Sequence, residues 1–272
     1  MSCGRCSELD DILFDTWQDS VRIDAHLAAI QWKANLSRDQ LHIRSRHSED
    51  RLTWIVYRAL ERAKLVPQFC SEVLGLPPAA EVWVYYWQRL PNSERIDPDI
   101  DEALAEVEPW HTAQQRQRTE TDLILRAPHW LCLYEHKCGP PEGEPRGWRQ
   151  AESSPLRPEY EQFFRPLLKE PDKWHEHGLR FAQLPKNLSL GVALTQRWGG
   201  LELHLGVIIN ERVCGKKGDT YLTEFDAFRG GVSHPVNRLH LATWQQIRAW
   251  LGACNEPLCR LACEAIDEND WL

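Results

Sequence analysis

The sequence predicts an α/β protein in which helices flank a central mixed β-sheet. Three observations support this class: apolar residues recur at helical spacing before residue 66, runs of strand-forming residues occupy the middle of the chain, and helical and strand-like segments alternate. The 272 residues suffice for one large domain or for a domain with a modest appendage. We therefore expect a helical segment over residues 1–46 and a main domain over residues 47–272, together forming one continuous globule.

The N-terminal part of the chain is predicted to be helical. Up to about residue 46, apolar positions that include Trp17, Val21 and Leu27 give an amphipathic pattern. A stronger helix is expected from Glu49 to about Leu65, because Ser48 is suited to cap its N-terminus. The apolar stripe of this helix consists of Leu52, Val56, Leu60 and Ala63.

The remaining elements are predicted from strand formers, turn residues and caps. Strands are expected over Glu81–Gln88, Thr119–Leu125, Trp130–Lys137, Leu188–Thr195 and Leu201–Ile209, with turns at residues 126–129 and at Gly199-Gly200. Helices are expected over Asp97–Glu108, Glu159–Leu168 and Thr243–Leu251, the last capped by Thr243 and stopped by Gly252. Residues 138–158 are rich in Gly, Pro and Glu and are predicted to form an exposed loop.

Composition favours a cytoplasmic protein that does not enter a membrane. Hydrophobic residues make up 42% and charged residues 26%, which is the profile of a globular protein. No run approaches the roughly 18 apolar residues that span a bilayer, and the first residues lack the apolar core of an export signal. The nine cysteines are therefore expected to be mostly reduced thiols.

The net charge of -8 argues against a protein that coats nucleic acid through bulk electrostatics. Contact with nucleic acid would have to come from local basic patches. For each such patch we favour a solvated surface. The candidates are Arg38 with Arg44 and Arg46, Arg116 with Arg118, Arg146 with Arg149, and Lys216 with Lys217.

The predicted hairpin over residues 119–137 carries the most informative group of charges. Because side chains alternate across a strand, Glu120 and Asp122 share one face of the first strand, and Glu135 and Lys137 share one face of the second. If Leu125 pairs with Trp130, Asp122 lies opposite Leu133 and Glu120 lies opposite Glu135. The four charged groups then converge on one face, an arrangement that a slip of one residue would destroy.

Acids beside apolar neighbours are costly to bury without compensation, which a divalent metal can supply. Carboxylate oxygens suit Mg²⁺ or Mn²⁺. A metal held by these acids would activate a water and screen charge on a phosphate, while Lys137 could orient or deprotonate that water. The alternative is a surface hairpin in which Glu135 and Lys137 are ordinary salt-bridge partners.

This arrangement resembles the PD-(D/E)XK nuclease superfamily, in which an acid is followed by Glu-x-Lys on the next strand. Asp122 matches the acid and Glu135-His136-Lys137 matches the second element, although Thr121 replaces the proline of the motif. The resemblance implies a restriction-endonuclease-like core, with Asp122, Glu135 and Lys137 catalytic and with Mg²⁺ or Mn²⁺ as cofactor. It also implies a further metal ligand on the preceding helix, which Glu49 fits.

The same resemblance implies accessory positions of lower specificity. Glu120 is a candidate accessory acid. Gln162 is a weak match to a polar residue that some members carry on the following helix, and for it we favour a plain position on the helix surface. His136 alternates to the other face of its strand, and we expect it to be structural.

Cysteines and histidines elsewhere compete as metal sites. Some members of the superfamily hold an iron–sulfur cluster with one N-terminal and three C-terminal cysteines, an outline similar to Cys3, Cys6, Cys254, Cys259 and Cys263. Their spacing departs from the usual one, so we favour simple thiols over an iron–sulfur cluster or zinc. For His175-Glu176-His177 we favour surface histidines.

The predicted function is a metal-dependent nuclease that hydrolyses phosphodiester bonds, with DNA favoured over RNA, in a restriction or anti-phage defence setting. The chain lacks a phosphate-binding loop and a sequence-reading motif. Specificity would therefore come from loops, a partner protein or a homodimer. The alternative is a catalytically inactive nucleic-acid-binding or regulatory protein on the same fold, and a third reading takes the hairpin pattern as coincidence. Tryptophans such as Trp83, Trp87, Trp110 and Trp148 could stack bases, but we favour the core for most of them.

Overall fold

The centre of the molecule is a five-stranded mixed sheet in the order β1-β2-β3-β4-β5, seen in a computed structural model of the chain. The structure describes residues 13–36, 43–46, 48–109, 120–137, 162–163, 165–171, 183–211, 220–233 and 238–269. The strands are β1 (Trp83–Tyr86), β2 (Leu123–Arg126), β3 (Trp130–Lys137), β4 (Glu202–Ile209) and β5 (Leu239–Thr243). The first three strands are antiparallel neighbours, whereas β4 and β5 run parallel to β3. The predicted α/β class is confirmed.

Helices cover both faces of this sheet. They are α1 (Trp17–Val21), α2 (Ala28–Asn35), α3 (Glu49–Ala63), α4 (Val66–Glu72), α5 (Pro98–Val107), α6 (Gln183–Arg197), α7 (Thr220–Gly231), α8 (Trp244–Ala253) and α9 (Pro257–Asp267). The apolar residues of α3, α8 and α9 form one core with Cys132 and Tyr134 of β3. Those of α5 and α6 form a second core with Leu131 and Leu133 on the other face. Alternation along β3 therefore fills two cores from one strand.

The helix before the sheet begins where its cap predicts. The Ser48 hydroxyl accepts a hydrogen bond from the backbone nitrogen of Arg51 at 3.1 Å, so Glu49 becomes the first residue of α3. The helix ends at Ala63, and Lys64 adopts a left-handed conformation with φ of 60°. This cap fixes the direction in which α3 presents Glu49.

The hairpin of β2 and β3 has the predicted facing but a different register. Leu125 pairs with Cys132 and Leu123 pairs with Tyr134, whereas the sequence prediction paired Leu125 with Trp130. The shift of two residues keeps every side chain on its predicted face, because the side-chain period of a strand is two. Extending the observed register by one pair brings Asp122, rather than Glu120, opposite Glu135.

One predicted strand is wrong. Residues 188–195 lie within α6, although we expected them to form a strand. Gly199 and Gly200, with φ of 86° and 80°, turn the chain from this helix into β4. A short apolar run fits the period of a strand as well as that of a helix. Here the run forms a helix that is buried between α5 and the strands β3 and β4.

The other predictions agree in outline. Helices α5 and α8 occupy the predicted segments, and α8 carries a capping box between Thr243 and Gln246. Gly252 does not stop α8, which continues to Ala253. In the predicted helix over residues 159–168, Gln162 and Phe163 are helical and Arg165–Leu167 form a 3-10 turn, while residues 159–161 and 164 lie outside the described residues. The predicted loop over residues 138–158 lies outside them entirely.

Candidate functional site

Three separate segments bring charged side chains together at the carboxyl end of β3. Glu135 and Lys137 close that strand, Asp122 immediately precedes β2, and Glu49 opens α3. The antiparallel pairing of β2 with β3 puts the start of one strand beside the end of the other. The four residues predicted to be catalytic or metal-binding thus meet in one place.

Lys137 is the centre of this group. Its ammonium lies 2.7 Å from Oε1 of Glu135 and 3.7 Å from Oε2 of Glu49. The side chain of Glu135 is 3% exposed and that of Lys137 is 16% exposed, so water screens this pair weakly. Asp122 accepts a 2.8 Å hydrogen bond through Oδ2 from the backbone nitrogen of His136, which ties it to β3.

Burial and mutual repulsion disfavour the ionised acids. Burial raises the pKa of Asp122 well above its usual value and the neighbouring charge of Glu135 raises it further, while Lys137 opposes both. Asp122 as a whole is half-buried, and its carboxyl group lies at the enclosed end of the side chain. Burial also raises the pKa of Glu135, again against the effect of Lys137.

Lys137 remains a cation in this setting. Burial alone would lower its pKa, but the carboxylates of Glu135, Glu49 and Asp122 outweigh burial and raise the pKa well above its usual value. The lysine is therefore suited to stabilise negative charge in the metal-free protein, and not to remove a proton.

The carboxylate oxygens of the site are partly suited to bind a divalent cation such as Mg²⁺. Oε2 of Glu135 is buried and, apart from the neighbouring amide of Asn187, has no polar partner among the described residues, so this oxygen is available to a ligand. The surrounding donors are carboxylate oxygens of the kind that Mg²⁺ and Mn²⁺ prefer. Within the described part of the chain, however, no three His, Cys, Asp or Glu side chains already stand in metal-binding geometry. Lys137 occupies the space between two of the acids and would have to move for both to bind one ion.

Glu120 belongs to a second charged group beside the first. Its carboxylate pairs with Lys33 of α2, whose ammonium also lies 3.4 Å from Asp50. Asp50 in turn accepts a 2.6 Å hydrogen bond from the indole of Trp87. Sequence analysis missed Lys33 and Asp50, since 87 residues separate Lys33 from Glu120 and no local pattern connects them.

The chain approaches this second group through an unusual turn. Trp87 and Gln88 both have positive φ, 47° and 70°, in a tight reversal closed by a 2.7 Å bond from the Tyr86 nitrogen to the Arg89 carbonyl. Residues other than glycine, asparagine and aspartate seldom adopt this conformation. The buried indole of Trp87 stacks on Trp54 at 6.1 Å, and this packing holds the turn next to the acids.

The long helix after β3 places a polar residue, Asn187, next to Glu135. Asn187 lies on α6 and is 1% exposed, and a hydrogen bond from its side chain lowers the pKa of Glu135 against the larger, raising effect of burial. Gln162 is exposed. Asn187 directly precedes residues 188–195, which the sequence predicts to form a strand. The sequence therefore does not predict that Asn187 lies on a helix beside the site.

His136 points away from the acids, as its position in the strand predicts. Its ring contacts the hydroxyl of Thr53, stacks on Tyr57 at 6.0 Å, and meets Trp244 edge-on at 5.6 Å. Burial lowers the pKa of His136 to about 3, so the ring is neutral and packs in the core.

Other predicted features are located only in part. Cys254, in the turn after α8, and Cys259 and Cys263, on α9, are free thiols, whereas Cys3 and Cys6 lie outside the described residues. Trp87 is buried and Trp83 is 38% exposed. Arg44 donates to the Phe14 carbonyl, and Arg46 lies over the Phe14 ring. Outside the described residues fall Trp110, Trp148, His175, Glu176, His177, Arg38, Arg116, Arg118, Arg146, Arg149, Lys216 and Lys217.

Comparison with known proteins adds no relative. Neither the protein-family models, nor the curated proteins, nor the solved structures gave a match to this chain. No described helix is both long and apolar enough to cross a membrane.

Proposed function

We propose that this chain is a metal-dependent nuclease of the PD-(D/E)XK class that hydrolyses phosphodiester bonds, with DNA as the favoured substrate. One observation carries the proposal: Asp122, Glu135, Glu49 and Lys137 come from three segments to one point at the edge of a buried core. Three acids around one ammonium leave an excess of negative charge. A divalent cation would balance that excess.

Asp122, Glu135 and Glu49 would hold the cation, Mg²⁺ or Mn²⁺. When bound, the metal would supply an activated water and neutralise charge on the phosphate. Lys137, which the acids keep protonated, would stabilise the negative charge that develops on the phosphate during displacement. The buried walls around Glu135 would strengthen these interactions by excluding water.

The order of elements agrees with the resemblance noted in the sequence. Helix α3 bears an acid before the sheet, β2 is preceded by the second acid, β3 ends in Glu-x-Lys, and α6 follows with a polar residue near the site. These elements support a restriction-endonuclease-like core. A cytoplasmic location, a role in defence, and specificity drawn from a partner protein or homodimer are parts of the same proposal. The free thiols at Cys70, Cys132, Cys254, Cys259 and Cys263 support the location.

Cleavage assays on plasmid DNA, single-stranded DNA and RNA test this proposal, each run with Mg²⁺, Mn²⁺ or EDTA. The wild type is compared with Lys137→Ala and with Lys64→Ala, which removes an exposed lysine at the end of α3, away from Glu49. We expect metal-dependent cutting that Lys137→Ala lowers by about a hundredfold or more, and that Lys64→Ala leaves unchanged.

The other outcomes decide against parts of the proposal. Equal cutting by the wild type and Lys137→Ala would show that the assigned site is wrong. No cutting by the wild type under any condition, together with retained binding of DNA in a gel-shift assay, would favour the inactive nucleic-acid-binding protein.

A further inference from the structure

Two histidines form a pair on the face of the sheet away from the acids. Nδ1 of His204, near the start of β4, lies 2.8 Å from Nε2 of His240 on β5. His204 pairs with Cys132, which belongs to the core that contains α3, whereas Glu135 alternates to the other face of β3. This histidine pair is therefore separate from the proposed metal site and has no part in the proposed chemistry.

The outer nitrogen of His240 faces a backbone carbonyl. Nδ1 is directed toward the turn after α4, since a Cβ added at Gly75 would lie 3.6 Å from it. Burial lowers the pKa of His240, and a hydrogen bond with the backbone of Leu74 opposes this effect. The Leu74 nitrogen already donates to the Phe69 carbonyl, so the Leu74 carbonyl is the group that accepts from the ring. Nδ1 of His240 therefore carries a hydrogen.

The outer nitrogen of His204 faces a carboxylate. Nε2 is buried and lies 3.4 Å from Oε1 of Glu202, whose side chain is 35% exposed. Nε of Arg238 lies 2.8 Å from the same oxygen, and its charge favours the ionised form of Glu202. An ionised carboxylate only accepts hydrogen bonds, so it attracts an N–H at Nε2 and repels a lone pair there.

The three contacts along this chain of groups need three hydrogens. The first contact joins Glu202 to His204, the second joins the two histidines, and the third joins His240 to Leu74. Two neutral imidazole rings supply only two ring hydrogens. One contact would then set an acceptor against an acceptor, which is unfavourable where water cannot reach. One added proton removes this conflict.

The ionisable groups around the histidine pair favour a single added proton. The carboxylate of Glu202 balances one positive charge, while the charge of Arg238 and burial oppose a second. On β3, burial raises the pKa of the Cys132 thiol well above its usual value, so this thiol is neutral. On α4, burial also raises the pKa of Cys70, and Glu72 is exposed and accepts its hydrogen bonds from α8 and from its own helix.

We propose that the histidine pair is a proton-binding site, in which His204 holds one added proton as an imidazolium between Glu202 and a neutral His240. The bound proton links β4 to β5, the last strand of the described sheet, and β5 to the turn after α4. Its release leaves two acceptors facing each other. The folded chain thus keeps this proton to a higher pH than an ordinary histidine, whose pKa is about 6.5, and the link is sensitive to pH.

Nitrogen NMR of the imidazole rings tests the inference. Long-range ¹H–¹⁵N spectra distinguish an imidazolium from the two neutral tautomers, and the signals are assigned by their loss in His204→Gln and His240→Gln. At about pH 7 we expect His204 to be protonated at both nitrogens and His240 to be neutral with its hydrogen on Nδ1. His26→Gln is the matched control, because His26 is exposed and its loss should leave both sets of signals unchanged.

Glu202→Gln tests whether the carboxylate holds the proton. Glutamine keeps the shape and removes the negative charge, so we expect the titration of His204 to move down by about one pH unit or more. Stability has the same sign: a folded pKa above the unfolded value stabilises the protein below about pH 6.5, and this stabilisation is lost as the pH rises through the folded pKa. Urea unfolding should show the loss at a lower pH in Glu202→Gln than in the wild type.

A neutral His204 at about pH 7 overturns the inference, as does a titration of His204 that Glu202→Gln leaves in place. Signals of both rings that respond to ZnCl₂ and not to pH would also overturn it, in favour of a metal ion between the two nitrogens. If the histidine variants do not fold, the His204 ring is assigned by its through-space contact with Trp130, whose ring lies 6.4 Å away. Neither measurement involves cleavage of nucleic acid, so this inference and the proposed function stand or fall separately.

Discussion

Asp122 illustrates, at the scale of single residues, how the fold opposes the charge of its own site. Burial of the carboxyl group and the like charge of Glu135 both raise its pKa, against the opposing effect of Lys137. A group whose folded pKa lies above its unfolded pKa reduces stability once the pH exceeds the unfolded value. Binding sites often carry such unfavourable charges, because the ligand rather than the fold compensates them.

Replacing Asp122 by asparagine should therefore stabilise the metal-free protein. The wild type loses stability as the pH rises from the ordinary pKa of aspartate, about 4, through the raised pKa of the folded protein. Asp122→Asn has no ionisable group at this position, so it avoids this loss of stability. We expect a gain on the order of 1 kcal/mol at pH 8 in EDTA that shrinks toward pH 4. Urea unfolding across this range measures it.

The exposed residue Asp15 supplies the control, because Asp15→Asn should change stability little at any pH. A gain from Asp122→Asn that is the same at pH 4 and pH 8 would contradict the electrostatic argument.

At the scale of elements, the contact between β3 and β4 holds the site strand in place. Gly206 of β4 pairs with Tyr134 of β3, one residue before Glu135. The absence of a side chain at Gly206 lets the Tyr134 ring lie flat against the backbone of β4, because a Cβ there would overlap the ring. The position of Glu135 thus depends on a glycine in the neighbouring strand.

Gly206→Ala should destabilise the protein by about 1–3 kcal/mol, since the Tyr134 ring is fully buried and has little room to move. Urea unfolding followed by fluorescence checks this value. Gly230→Ala is the matched control, because a Cβ at Gly230 would meet no atom within 4 Å. Equal effects of the two substitutions would show that the close contact between Tyr134 and Gly206 does not hold β3 and β4 in place.

At the scale of the whole molecule, Arg51 joins the beginning and the end of the described chain to α3. Its guanidinium donates to the Ser20 carbonyl at 2.8 Å, to the Ala265 carbonyl at 3.4 Å and to Glu268 at 2.7 Å. Burial lowers the pKa of Arg51 to about 10, against the opposing effect of Glu268. Helix α3, which presents Glu49, is thereby fixed from both ends of the sequence.

Arg51→Met should lower the free energy of unfolding by about 3 kcal/mol, because it leaves the buried carbonyls of Ser20 and Ala265 without this donor and removes one of the two arginines that pair with Glu268. Arg248→Met breaks a pair with Asp267 in which both side chains are 49% exposed, and should change the free energy by less than about 1 kcal/mol. Urea unfolding of both variants measures the difference. A loss in Arg51→Met no larger than in Arg248→Met would mean that the chain ends do not support α3.

The predictable part of the site is local in sequence. Asp122, Glu135 and Lys137 lie within 16 residues of one another, on a hairpin whose alternation fixes their common face even when the register moves by two. Glu49 could be found because a cap and an apolar stripe define the start and the inner face of α3. Helix α6 could not be told from a strand, because its run of eight apolar and small residues satisfies both periods.

The sequence by itself determined β1 to β4 in outline, the caps and the facing of the acids, but not β5, which it did not predict. Backbone periodicity and hydrogen bonding act over a few neighbouring residues, so these features can be read locally. Only the tertiary structure decided that Asn187 lies beside Glu135, that Lys33 pairs with Glu120, and that Lys137 is held as a cation. Those relations join residues far apart in the chain, and their energies depend on burial and on distance. Neither quantity exists until the helices have packed on the sheet.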